Sequence, residues 1–427
     1  MNCTLNTGDT AWMLMATALV LLMTVPGLAL FYGGLVRKKN ILSTVYHSFS
    51  AAVIVSLLWV IVQYTLVFGQ DVGGWIGGLD KLFMRGVGIN QLFGHLPIPE
   101  NVFSMFQMMF AIITVALISG AIAERMRFGA WVAFITLWSL CVYAPLAHWV
   151  WGGGWMGNGA IIGKLFGNTD MNVLDFAGGL VVHVSSGISA LVAALYLGPR
   201  VRYGKEMMMP SNILLTATGA GLLWFGWFGF NAGSALGANG LAGHAFMVTN
   251  TSGAMAGAVW MLLESLHHRK PTVVGVATGV VAGLATITPA AGFVNLPASL
   301  IIGGLASLLC YFFVAIVKKK LNYDDALDAF GVHGIGGILG VLATGIFASP
   351  AIGTYMNGKP TVGLFYGNAA QFGVQLFAVA VTAILAAAGT LVILFAISRI
   401  MPLRVEPQEE VHGLDLSLHG EVASSER

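Results

Sequence analysis

Long apolar runs alternate with short polar segments from one end of this chain to the other, and the runs exceed what a soluble core requires. A helix rising 1.5 Å per residue needs about 20 apolar residues to cross a hydrocarbon layer of roughly 30 Å. Eleven nearly uncharged stretches, bounded by charged or turn residues, predict spans at Trp12–Val36, Ile41–Phe68, Val102–Ala123, Phe128–Trp149, Phe176–Leu197, Ser211–Phe230, Gly243–Leu266, Thr272–Ile287, Leu296–Val317, Phe330–Phe347 and Ala370–Ile397. The expected class is an all-α integral membrane protein. Two larger pieces fall outside the spans: a loop from Gly69 to Asn101, and a polar, acidic tail from Met401 to Arg427 that is expected to order only through contact.

Composition agrees. Of 427 residues, 57% are hydrophobic and 9% charged, with a mean hydropathy of +0.82, whereas soluble domains carry about 25% charge. A formal charge of +2 offers no basic face for nucleic acid. The basic residues instead mark topology. Sixteen of the 20 Lys and Arg fall in alternate segments (Arg37, Lys38, Lys39; Arg125, Arg127; Arg200, Arg202, Lys205; Arg269, Lys270; Lys318, Lys319, Lys320; Arg399, Arg404, Arg427), and only Lys81, Arg85, Lys164 and Lys359 lie between them. The positive-inside rule then puts the amino terminus outside and the tail inside, as an odd number of spans requires. Met1–Thr10 lack a basic n-region, so no cleavable leader is expected. Cys3, Cys141 and Cys310 have no metal-site spacing and imply no disulfide framework.

The first ten spans divide into two fives, and the fifth of each five carries a histidine among small residues, in HVSSGISALVAAL from His183 and HGIGGILGVLATG from His333. Five spans return inverted, an arrangement that sets a transport site near the bilayer midplane. A membrane domain over 1–400, with halves of about 10–200 and 208–350 and an added helix at about 370–400, would precede the tail of 401–427. The 56 glycines, in runs such as WGGGW and GIGGILG, suit close helix packing in lipid.

A charged histidine inside a span is costly, so His183 and His333 are expected to be neutral, bundle-facing and hydrogen-bonded. A purely structural histidine, bonded to a neighbouring helix, is the plainer alternative for either one alone. Their matching positions favour a central pair that shares a proton and offers an acceptor to a small solute. His47, His148 and the His267–His268 pair are weaker candidates, the last two expected to be solvated. Phe106, Phe110, Trp151 and Phe230 form an aromatic set. Each alone would ordinarily be an interfacial residue, but together they can hold a cation over ring faces for about 0.5–2 kcal/mol each, with the Ser234 hydroxyl as an acceptor. Asp175 opens the fifth span as a helix cap, or biases the mouth toward cations. Asp324, Asp325 and Asp328 are expected to cap helices or dock the tail. There is no metal cluster, nucleophile elbow or phosphate loop, so an enzyme is disfavoured.

These residues carry a resemblance. DFAGGLVVHVSSGISALVAALYLGPR (Asp175–Arg200), FYGGLVRKKN, AERMRF, AHWVWGGGW, GWFGFNAGS, ITPAAG and DAFGVHG are similar to landmarks of the ammonium transporter family, the Amt/MEP/Rh group, and within it to the bacterial Amt branch. The resemblance covers nearly the whole chain. It implies a homotrimer in the inner (plasma) membrane, each subunit holding its own pore of eleven helices with five-plus-five inverted pseudosymmetry, and no cofactor. It implies an ammonium-recruitment site at Phe110, Trp151 and Ser234 with Phe106 nearby, a gate of stacked Phe110 and Phe230, the histidine pair below, and Phe31, Tyr32, Tyr143 and Trp227 along the pore. The tail VHGLDLSLHGEVASSER from Val411 is similar to the family's regulatory segment, although Ala423, Ser424 and Ser425 stand where relatives place a tyrosine. A PII-type signalling protein is an implied partner at the inner face.

The expected mechanism separates proton from nitrogen, because an isolated ion in hydrocarbon is far costlier than neutral ammonia. Ammonium would be recruited at the aromatic mouth, lose its proton near the rings, and pass the histidines as ammonia, with net charge movement. The rival readings are an electroneutral, Rh-like channel for ammonia or carbon dioxide, against which Trp151 argues, and an ammonium sensor signalling through its tail.

Overall fold

The computed structural model describes residues 4–168, 171–357 and 361–423; Cys3, Lys359, Ser424, Ser425 and Arg427 lie outside the described residues. Ten of the eleven apolar stretches form helices long and apolar enough to cross a membrane. They are α1 (Thr7–Leu35), α2 (Lys38–Phe68), α3 (Glu100–Ile122), α4 (Phe128–Val150), α5 (Gly179–Leu197), α6 (Ile213–Gly233), α7 (Gly240–His268), α9 (Leu296–Leu321), α10 (Phe330–Phe347) and α11 (Ala369–Ser398). The remaining stretch is α8, a 15-residue apolar helix at Val273–Ile287. Its ends fit the sequence: Thr272 caps it by accepting the Gly275 N–H, and the chain turns at Thr288–Pro289.

At the centre, α3 is buried along nearly its whole length and packs on α5, while α8 packs on α10. The two histidine-bearing helices also meet each other. A Cβ on Gly187 would sit 2.2 Å from the Gly334 Cα, and one on Gly337 would sit 2.8 Å from the His183 Cβ. Only glycine permits that approach, so the glycine run in α10 is a crossing point, as helix packing in lipid favours. Both helices open with a widened, π-helical turn, Gly179–Val184 and Phe330–Gly334, and each turn carries its histidine.

The segments between spans sort onto two faces. On one, the tail-side face, Glu124 pairs with Arg37 (2.8 Å) and Arg200 (3.0 Å), and Arg200 pairs with Asp324 (2.8 Å). Burial pushes the Glu124 carboxyl up, but the two guanidiniums outweigh it and hold it below the ordinary range. Basic residues from alternate inter-span segments thus converge on one side. The tail packs there: Arg127 pairs with Glu409 (3.2 Å), Arg404 pairs with Glu410 (2.8 Å), and Asp415 accepts the Ser43 and Leu42 N–H groups at 2.8 and 3.1 Å. Tail helices Pro407–His412 and Asp415–His419 form against these contacts, matching the expectation of order through contact. Of the three aspartates expected to cap helices or dock the tail, Asp325 caps α10, whereas Asp324 takes Arg200 and Asp328 takes Lys318.

Candidate functional site

Opposite the tail, a cavity of about 250 Å³ opens between the helices. Phe110, Trp151, Asp175 and Ser234 line it, together with Gln107, Asn172, Phe68, Phe93, Phe103, Phe176 and Phe293. Three of the four residues singled out for recruitment therefore meet at one vestibule. Phe106 stands behind it, buried, with its ring edge-on to Phe110 at 5.0 Å. Periodicity could have found Gln107, which lies three residues, about one helical turn, before Phe110. Phe93 and Asn172 sit in segments without helical period, and Phe293 in a short turn after α8, so no sequence signal singles them out.

Three polar groups at the vestibule are held by hydrogen bonds. The Trp151 indole N–H donates to the Asp175 carbonyl (2.9 Å), which fixes the ring plane. The Ser234 hydroxyl donates to the Phe230 carbonyl (2.8 Å), leaving its lone pairs to accept. The Asp175 carboxylate accepts four backbone N–H groups, from Gly178 (2.8 Å), Gly179 (2.5 Å), Leu180 (2.8 Å) and Val181 (3.2 Å). Burial pushes this carboxyl up, and the four amides pull it back. Asp175 thus caps the opening of α5 while also standing on the vestibule wall.

From the vestibule a file of rings leads inward. Trp151 stands edge-on to Phe110 at 5.8 Å and 86°; Phe110 stacks on Phe230 at 4.2 Å and 20°. Phe230 lies 6.3 Å from His183, and His183 stacks on His333 at 5.2 Å and 16°. The two Nδ1 atoms are 3.2 Å apart, and both residues are buried. One Nδ1 must donate and the other accept, so a neutral pair presents one Nε2 donor and one Nε2 acceptor. The His183 Nε2 has no partner among the described residues.

The four residues implied along the pore separate. Trp227 stacks on His183 at 5.7 Å and 22°, its indole N–H held by the Thr288 hydroxyl at 2.9 Å. Phe31 and Tyr32 pack 6.0 Å apart, the Tyr32 hydroxyl donating to the Leu117 carbonyl at 3.2 Å, and Tyr143 is buried. Of the weaker histidines, His47 packs on Trp131 at 5.0 Å, and His267 and His268 are exposed, His267 sharing a 2.7 Å bond with the Tyr311 hydroxyl. His148 is bonded through both nitrogens.

Comparison with known proteins identifies relatives over nearly the whole chain. The model of the Ammonium Transporter Family matches residues 11–424. The "Ammonium transporter" of Aquifex aeolicus is 51% identical over 98% of this chain and 94% of its own. Among solved structures, Candida albicans Mep2 superposes with a TM-score of 0.86 at 33% identity, covering 95% of this chain and 88% of its own. A structure described as "Sensor Amt Protein" superposes at 0.85 with 28% identity, covering 96% of this chain and 98% of its own.

Proposed function

This chain belongs to the ammonium transporter family, and on that premise we propose that it carries ammonium across the inner (plasma) membrane as a homotrimer with one pore per subunit. Each subunit crosses eleven times, α8 included, with the amino terminus outside and the tail inside. The membrane domain is residues 1–400, built as halves of about 10–200 and 208–350 plus α11, and 401–427 form a regulatory tail open to a PII-type partner. The observation that carries the reading is the file of rings from Trp151 to the buried His183–His333 pair.

Ammonium is recruited where Phe110, Trp151 and Ser234 meet, with Phe106 backing the site. Ring faces attract the charge, and the serine oxygen accepts one N–H. A bare cation cannot follow the file inward without losing its hydration, whereas ammonia can, so the proton is given up near the Phe110–Phe230 gate. Ammonia then passes His183, His333 and Trp227, with Phe31, Tyr32 and Tyr143 along the path, accepting from one imidazole and donating to the other. Asp175 acts structurally. The proton follows separately through water and the histidines, so transport is electrogenic. Potassium has no proton to yield and is excluded.

Purified protein in proteoliposomes, with ammonium-evoked current and nitrogen flux measured in parallel, tests this reading. Current with flux, and none with potassium, is the expected result. Flux without current would favour the Rh-like electroneutral channel. A sensor is the second reading, favoured by the docked tail and the likeness to the sensor Amt structure; ammonium binding without flux would select it.

A further inference from the structure

Beside the vestibule lies a buried histidine for which the transport path has no use. His148, in the last turn of α4, is fully buried. Its Nδ1 is 2.7 Å from the Val67 carbonyl oxygen at the end of α2, and its Nε2 is 2.9 Å from an Asp71 carboxylate oxygen in the antiparallel hairpin that pairs Asp71–Val72 with Ile76–Gly77. A carbonyl and an ionised carboxylate only accept, while a neutral imidazole has one N–H. Both ring nitrogens are thus engaged, and the imidazole is pinned between the end of α2 and the hairpin.

The residues that follow wrap around this lock. The His148 carbonyl accepts the Gly152 and Gly154 N–H groups at 3.0 and 2.9 Å, and Trp151 sits between them and His148. The hairpin joins the same segment: Asp71 also accepts the Gly74 N–H, the Gly74 carbonyl accepts from Trp155 (3.0 Å), and the Trp75 carbonyl accepts from the Trp149 indole (2.7 Å). The packing has no slack, since a Cβ on Gly152 would sit 1.9 Å from the Val67 oxygen.

We propose that the Asp71–His148 pair is a positioning device for Trp151, holding the α4 end against the outer hairpin so that the indole faces incoming ammonium. Neither residue touches the substrate; the inference rests on the transport reading above. The half-exposed Asp71 is the place to test it, because its substitution leaves the buried core intact. In Asp71→Asn the new side-chain amide can still donate an N–H to the imidazole Nε2 while its oxygen accepts from Gly74, so this variant keeps both contacts. Asp71→Ala cannot.

Ammonium-evoked current in proteoliposomes is measured against concentration for the wild type and both variants. Asp71→Ala is expected to raise the half-saturating concentration about three- to ten-fold with the maximal current unchanged, and Asp71→Asn to restore wild-type behaviour. An unaffected Asp71→Ala, an Asp71→Asn as impaired as the alanine variant, or a loss confined to maximal current overturns the proposal. A wild type that evokes no current and no flux instead overturns the transport reading, and this inference with it.

Discussion

Asp175 and Asp325 hold matching places: each lies eight residues before a histidine of the central pair (175 to 183, 325 to 333), and each accepts backbone N–H groups at the opening of that histidine's helix. Asp175 takes four amides and Asp325 takes two, from Ala329 (3.0 Å) and Phe330 (2.8 Å). A carboxylate there satisfies orphan amides, favours the positive helix end, and so sets where each imidazole enters the bundle.

Alanine at either position strands buried donors, and the cost should follow their number. A lost cap costs about 0.5–2 kcal/mol, and each buried amide left bare about 1–3 kcal/mol. Asp175→Ala should therefore lower the thermal midpoint in detergent more than Asp325→Ala. Equal shifts, or the reverse order, would refute the account.

Asp325 also gives a pH signature. Burial, opposed by Lys318 and helped by the Asp328 carboxylate, pushes its carboxyl up to about 6, above an ordinary value of about 3.9. A folded-state value above the unfolded one means that folding binds the proton more tightly. Its contribution is complete below about pH 4 and is lost as pH rises through about 6. The stability of wild type relative to Asp325→Asn should fall across that window and level off above it. Parallel pH–stability curves would contradict this.

Replacing His183 or His333 by Ala removes half of the Nδ1–Nδ1 bond and opens room for water in the file of rings. Potassium-evoked current, expected to be absent in the wild type, should appear in proteoliposomes. If ammonium current and potassium exclusion both persist, the imidazoles have no part in selectivity.

Trp151→Leu keeps an apolar wall but loses a ring face worth about 0.5–2 kcal/mol to a cation, which corresponds to about a 2- to 30-fold weaker recruitment. The half-saturating ammonium concentration should rise by that factor in current recordings. Unchanged uptake at low ammonium would remove the indole from the site.

Asp415→Ala frees the first-turn amides of Leu42 and Ser43 and releases the tail from α2. Limited trypsin treatment from the tail side should then cut near Arg404 faster than in wild type. Identical cleavage rates would show that the remaining contacts suffice.

The spans were legible because burial in lipid demands apolar side chains all along a helix, and ten of the eleven predicted runs emerge within a few residues of their ends. The matched histidine stretches were legible too, since a repeat shows in one dimension. Asp325 has the same spacing from His333 that Asp175 has from His183, but the neighbouring Asp324 and Asp328 mask that signal in the sequence. The vestibule's Phe93, Asn172 and Phe293 come from segments without period, and the His148–Asp71 pair joins a span to a loop 77 residues away.

What the sequence determined by itself was a helical membrane chain with two matched histidine stretches, its basic residues dealt to alternate segments and its family motifs in order. Residue type and spacing carry that much, because desolvation acts on each segment separately. That the two imidazoles stand 3.2 Å apart, that Phe110 lies flat on Phe230, and that Asp71 reaches a buried histidine were decided only when helices crossed at Gly187 and Gly334 and the hairpin closed over α4. Those distances depend on how helices pack against one another, and packing is a property of the assembled fold.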